Sequence, residues 1–180
     1  MQRNQRIILY FLVLIAGGSW IELSTRSAGQ VKHTTTSAPQ TGFSSPDFAL
    51  TAISGEMYKL SDYKGRPILI NLWATWCPPC RAEMTVIEKM YQEYKGQGFI
   101  VLAVNMTYQD DPSKVATFSQ KNGLSFPILL DETGGIASLY QLRSLPTSYF
   151  IDRGGIIRDI VIGGPMSEAL LRISIEQIIQ

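Results

Sequence analysis

The sequence predicts an α/β fold, a mixed central sheet flanked by helices. Three observations carry that prediction. The runs Ile68-Leu69-Ile70-Asn71-Leu72-Trp73 and Phe99-Ile100-Val101-Leu102-Ala103-Val104 are almost continuously apolar, as strands buried on both faces are. Segments of helical periodicity alternate with such strands, which implies a parallel core. Turn signals at Ser54-Gly55-Glu56 and Asp152-Arg153-Gly154-Gly155 join strand-like runs near the two ends of the folded part, which implies antiparallel edges.

The elements follow in order. Phe48-Ala49-Leu50-Thr51 and Met57-Tyr58-Lys59-Leu60 read as an N-terminal hairpin. Ser61 to Gly65 makes a short turn or a single helical turn. The strand Ile68 to Trp73 leads into a helix from Cys77 to Lys95, with Gly96 as its stop. Phe99 to Val104 is the second buried strand. Asp111 caps a helix over Pro112 to Lys121, and Asn122-Gly123 ends it. Phe126 to Leu130 is a short strand and Gly135 to Tyr140 a short helix. Thr147 to Ile151 and Ile156 to Ile162 form the second hairpin. Ser167 caps the last helix, Glu168 to Ile179.

Length and composition set the frame. The chain of 180 residues, 45% hydrophobic and 17% charged, holds one domain and a leader. A net charge of +1 gives no reason to expect a nucleic-acid partner. Residues 1–23 read as a membrane anchor or signal segment: Arg3 and Arg6 precede an apolar run from Ile7. An uncleaved anchor is preferred, because Ile7 to Leu23 reaches spanning length, although only by including Glu22, and the small residues suited to cleavage, Ala16-Gly17-Gly18 or Ser27-Ala28-Gly29, fit poorly. Trp20 would sit at the interface. The basic residues then stay in the cytoplasm and the rest of the chain lies outside. Residues 24–45, rich in Ser, Thr, Gly and Gln, read as a flexible linker, and residues 46–180 as the domain. His33 lies in the linker without a second ligand, so no metal site is expected.

The two cysteines of the chain are Cys77 and Cys80, in Trp76-Cys77-Pro78-Pro79-Cys80. The strand before them and the helix after them place both thiols at a helix N-terminus. Its unpaired N–H groups and positive dipole end favour a thiolate, which is the species that attacks in exchange. Pro78 fits just inside the helix, where a missing N–H costs nothing. Cys77 is therefore the attacking sulfur. Cys80, one turn further in, resolves the mixed disulfide. A zinc site would need four ligands, and a four-residue disulfide staple would stabilise little.

Glu83 and Pro146 are the next candidates. On a helical projection Glu83 falls in the middle of the apolar side, with Val86, Ile87, Met90 and Tyr94. Burial there raises its pKa and lets it trade protons with the thiols. The plainer alternative is a first-turn acid that complements the helix dipole. Leu145-Pro146-Thr147 opens an apolar strand, and sequence alone favours an ordinary turn, since few X–Pro bonds are cis.

The segment Asn71-Leu72-Trp73-Ala74-Thr75-Trp76-Cys77-Pro78-Pro79-Cys80-Arg81-Ala82-Glu83 resembles the active site of the thioredoxin superfamily. More narrowly, it resembles membrane-tethered TlpA/ResA-like thiol–disulfide oxidoreductases. Leu145 to Asp152 is similar to that family's proline loop, and Pro46 to Leu50 with Leu60 to Gly65 to its N-terminal pattern. The resemblance implies a thioredoxin fold with an N-terminal β-hairpin and an αβ insert over Asp110 to Leu130. It implies that Pro146 is cis and faces the cysteine pair, that Leu145 offers backbone groups to a bound substrate strand, and that Trp76, Pro78 and Pro79 frame the substrate. It also implies that Glu83 is the active-site acid, since thioredoxin itself has a buried Asp where this chain has Asn71.

The function so implied is an extracytoplasmic protein-disulfide reductase held in a bacterial cell membrane by a single span. Its substrate is the disulfide of apocytochrome c during cytochrome c maturation. A membrane thiol carrier supplies electrons. No cofactor beyond the Cys77–Cys80 pair is expected, and the chain is expected to be a monomer. Three rivals stand beside it. A peroxiredoxin-type peroxidase would need an activating Thr three residues before the reactive cysteine, where this chain has Ala74. A disulfide-forming oxidant would share the site but run at a higher potential. A redox-inactive binding module would not need both thiols.

Overall fold

The computed structural model describes residues 36–180. The expected leader over 1–23, the linker up to residue 35 and His33 lie outside the described residues.

Among the described residues, seven strands and four α-helices follow in chain order: β1 (Ala49–Thr51), β2 (Met57–Lys59), β3 (Ile68–Trp73), α1 (Pro78–Tyr94), β4 (Ile100–Asn105), α2 (Pro112–Lys121), β5 (Ile128–Leu130), α3 (Gly135–Leu139), β6 (Thr147–Ile151), β7 (Ile157–Ile162) and α4 (Glu168–Ile179). The main sheet runs β5-β4-β3-β6-β7. β3, β4 and β5 are parallel, while β6 and β7 are antiparallel to their neighbours. This is the mixed sheet of a thioredoxin fold, with α2 and β5 as the αβ insert.

β3 and β4 are buried along their whole length, so each must satisfy two cores at once. Leu69 and Trp73 of β3, with Val101 and Ala103 of β4, pack under α1, α2 and α4. Ile68, Ile70 and Leu72, with Leu102 and Val104, face the other way, under α3 and the N-terminal hairpin. The strand period of two puts Asn71 on the α1 side. Its register partners are Ala103 on β4 and Ser148 on β6.

Three sequence expectations change. The N-terminal hairpin is not an edge of the main sheet: β1 and β2 form a two-stranded sheet of their own. It docks on the β5 edge, where Ile53 N–H donates to Ile128 C=O at 2.9 Å and Ala52 bridges Leu129. That covers part of an otherwise open strand edge. Second, α1 ends at Tyr94, and a 3-10 turn over Lys95–Gln97 extends it to Gly98, whose φ of 90° closes the helix where a Cβ would be strained. The stop is Gly98, not Gly96.

Third, the last part of the expected linker is folded. Ser44 bridges both Ser37 and Ile156. Gly42 N–H donates to Ile157 C=O, and Ile157 N–H to Phe43 C=O. The Tyr140 hydroxyl donates to Pro46 C=O at 2.7 Å and lies 2.8 Å from the Ser45 hydroxyl. Residues 42–45 thus lie at the Asp152–Ile156 turn and the start of β7, while Pro39 and Gln40 share a pocket with Thr147 and Ile162 at the other end of that hairpin. Their polar composition concealed this, because a backbone pairs without apolar side chains.

Candidate active site

Cys77 is the N-cap of α1 and Pro78 its first residue. A helix start leaves its first N–H groups without intrahelical partners, and here each can be accounted for. Cys77 N–H donates to Ala74 C=O at 3.3 Å. Pro78 and Pro79 have no N–H. Cys80 N–H donates to Cys77 Sγ at 3.3 Å. Arg81 N–H begins the helical ladder on Cys77 C=O. The Cys77 sulfur therefore receives one backbone donor. Cys77 and Cys80 are joined as a disulfide. Cys77 keeps 4% exposure and Cys80 none, so an incoming group meets Cys77 first.

One turn beyond Cys80, on the same helix face, the Glu83 side chain is 1% exposed. Asn71 Nδ2 donates to its Oε1 at 2.8 Å and Met166 N–H to its Oε2 at 3.1 Å. Burial pushes the Glu83 carboxyl above its ordinary range, and these two donors pull it part of the way back. The other amide hydrogen of Asn71 goes to Ser148 Oγ at 2.9 Å. Asn71 Oδ1 is buried with no partner in the protein.

Pro146 follows a cis peptide bond and is buried at the start of β6. Its carbonyl accepts from Gly163 N–H at 2.8 Å. A Cβ placed on Gly164 would lie 2.7 Å from both Glu83 Oε2 and Pro146 Cγ. The segment from Gly163 to Met166 therefore touches the acid and the proline together. Leu145 is half-buried and packs against both cores.

On the other side of the cysteines, the αβ insert grips the loop that carries them. Asp110 accepts from Thr75 N–H at 2.6 Å, from the Thr75 hydroxyl at 2.5 Å and from Asn105 Nδ2 at 2.9 Å. Burial opposes ionisation of Asp110, but these donors outweigh it and hold the carboxyl below its ordinary range. Trp76 Nε1 donates to Gln109 C=O at 3.0 Å, while the residue remains 54% exposed. Pro78 is exposed and Pro79 partly so.

Cys77, Cys80 and Glu83 thus lie together, with Pro146 against Glu83 across Gly164. Trp76, Pro78 and Pro79 flank the sulfurs by chain connectivity. Sequence reasoning does not single out Gly164, Met166, Ser148 or Asp110. Gly163-Gly164-Pro165 looks like any turn, and the Met166 donor is backbone. Asp110 stands beside Asp111, which caps α2 as its sequence position suggests. The one legible signal is Asn71, an amide inside an apolar run.

A disulfide at a helix start, a buried acid one turn behind it and a cis-proline loop on a mixed sheet define a thiol–disulfide oxidoreductase of the thioredoxin fold. The chain belongs to the AhpC/TSA family, whose model matches residues 41–160. It is 33% identical to the thiol-disulfide oxidoreductase ResA of Geobacillus kaustophilus, over 96% of each chain. It is 45% identical to the thioredoxin-like protein YneN of Bacillus subtilis, over 69% of this chain and 72% of that one. Among solved structures, a Chlorobium tepidum protein described as a putative thiol:disulfide interchange protein DsbE superposes with a TM-score of 0.72. It is 32% identical, over 80% of this chain and all of that one.

Two outcomes are expected. Native Glu83 holds its proton above the ordinary carboxyl pKa of 4.5, so the folded state binds more protons than the unfolded state across that window. Stability of the oxidised protein should fall as pH rises through it, and Glu83→Gln should remove this fall. Urea midpoints from about pH 4 to about pH 8 check this; an identical pH slope in the variant would contradict it. Gly164→Ala should displace Glu83 or Pro146, at a cost of about 1–3 kcal/mol, and alter the pH profile of Cys77 alkylation in the reduced protein. Gly163→Ala, with φ 84° but open space around its Cβ, should lose stability and leave that profile in place.

Proposed function

We propose that the chain is an extracytoplasmic, membrane-tethered monomer that reduces protein disulfides, with apocytochrome c as its substrate during cytochrome c maturation. The Cys77 thiolate attacks a substrate sulfur and releases the other as a thiolate. The Cys80 thiolate then attacks Cys77 Sγ, frees the second substrate sulfur and closes the enzyme disulfide. Glu83 takes up and returns the proton that Cys80 exchanges. Trp76, Pro78, Pro79, Leu145 and Pro146 frame the substrate strand. A membrane thiol carrier reopens the disulfide, and the cycle needs no other cofactor.

The observation that carries the reducing direction is the single N–H donor on Cys77 Sγ. A strong disulfide oxidant is one whose reduced form is stabilised. Here Pro78 and Pro79 leave the thiolate one donor, and a buried carboxyl stands one turn away. Both features withhold stabilisation from the reduced form, and so favour giving electrons away. The likeness to ResA proteins supports the exchange chemistry; apocytochrome c, the carrier and the membrane tether are inferred from the resemblance and the leader sequence. The peroxidase rival is disfavoured by Ala74 and by the engagement of the Thr75 hydroxyl with Asp110.

Two measurements test this. The reduction potential, equilibrated against dithiothreitol, should lie nearer about −270 mV than about −120 mV; a value at the upper end would make the chain an oxidant. Cys77→Ala should abolish reduction of oxidised apocytochrome c. Cys80→Ala should accumulate a mixed disulfide with it through Cys77. Equal, partial activity in both variants would overturn the order of attack.

A further inference from the structure

The start of α1 and the outer face of α2 enclose a groove of about 320 Å3, lined by Thr75, Arg81, Lys114, Thr117, Phe118 and Lys121, among others. Lys114, Phe118 and Lys121 recur at helical spacing on one face of α2. Arg81, the residue after Cys80, lies with its guanidinium 5.9 Å from the centre of the Phe118 ring, within range of a cation–π contact. Three cations from two helices thus converge beside the cysteine pair. Among the described residues, the ion pairs use Lys59, Lys89, Arg158 and Arg172 and none of these three. The acids at the rim, Asp110 and Asp111, are both held below the ordinary carboxyl range, so they reduce the positive charge of the groove without cancelling its three cations. Asp110 holds Thr75. Asp111 caps α2 and offsets part of the Lys114 charge. Glu88, two turns along α1 from Arg81, accepts from the Ser125 N–H and hydroxyl.

We propose that this groove seats an acidic stretch flanking the disulfide of the protein substrate. The inference rests on the exchange reading above and adds what that reading lacks, a basis for choosing among disulfides. The groove is well placed for this, since Thr75 lies two residues before Cys77 and Arg81 four after. A strand bound across Cys77 can reach the groove within a few residues, at about 3.3 Å per residue. Phe118 supplies an apolar floor for the side-chain stems. Complementary charge at such a rim raises association rate more than final affinity, and salt weakens it. Because α2 belongs to the αβ insert, the insert carries the selectivity.

The test uses two synthetic peptides with the same intramolecular disulfide, one flanked by Asp and Glu, the other by Ser and Asn. Second-order rate constants for their reduction by the reduced full chain are measured at low and high salt. The acidic peptide should react about tenfold faster at low salt, and the advantage should shrink as salt rises. The Lys114→Glu/Lys121→Glu double variant should lose that ratio, and Lys64→Glu, at the other end of β3, should keep it. Equal rates for the two peptides in the natural sequence, or an unchanged ratio in the double variant, would overturn the proposal. Failure to reduce either peptide would instead remove the exchange reading on which it rests.

Discussion

Two prolines open α1, so that of its first three residues only Cys80 has an N–H to offer the Cys77 sulfur, and much of the site follows from that constraint. A helix beginning at Pro78 needs its N-cap in extended backbone, and Cys77 has φ −91° and ψ 107°. That conformation turns Sγ toward the Cys80 N–H. The helix can begin there because β3 ends at Trp73, whose carbonyl accepts from Met106 N–H, leaving a short connection that Asp110 fixes. The chemistry is set by where a buried strand stops and by how few donors wait beyond it.

Glu83 shows how a buried acid is kept without a cationic partner. An ionised carboxylate in such a place is costly, and the surroundings hold its charge down without neutralising it. Asn71, between Glu83 and Ser148, gives both amide hydrogens to them and leaves its own oxygen unpaired. An aspartate at that position would set two carboxylates against each other, one of which would have to stay protonated. The asparagine supplies a donor in its place. Gly164 completes the enclosure by having no side chain, so Pro146 and Glu83 both close on the space a Cβ would occupy.

Much of the fold could be read because its elements obey local rules. β3 and β4 are apolar throughout, Asp111 and Ser167 cap their helices through side-chain oxygens, and the thiols open a helix at the end of a strand. What stayed hidden depends on groups that carry no pattern. The docking of residues 37–45 is made by backbone amides and two hydroxyls. The Met166 contact with Glu83 is a main-chain N–H. Gly164 matters through space it leaves empty, which a one-dimensional string does not display. The cis bond before Pro146 follows from the family resemblance, since the ordinary preference of X–Pro bonds is trans.

The pairing of residues 42–45 with the Asp152–Ile156 turn fixes where the chain enters the domain. That turn closes the far end of β6, whose near end is Pro146 beside the active-site acid. Entry and chemistry therefore sit at opposite poles, roughly 17–20 Å apart, a typical strand length. A substrate strand drawn to Cys77 therefore meets the domain at the pole remote from Ser37, whose bridge to Ser44 lies beside that turn.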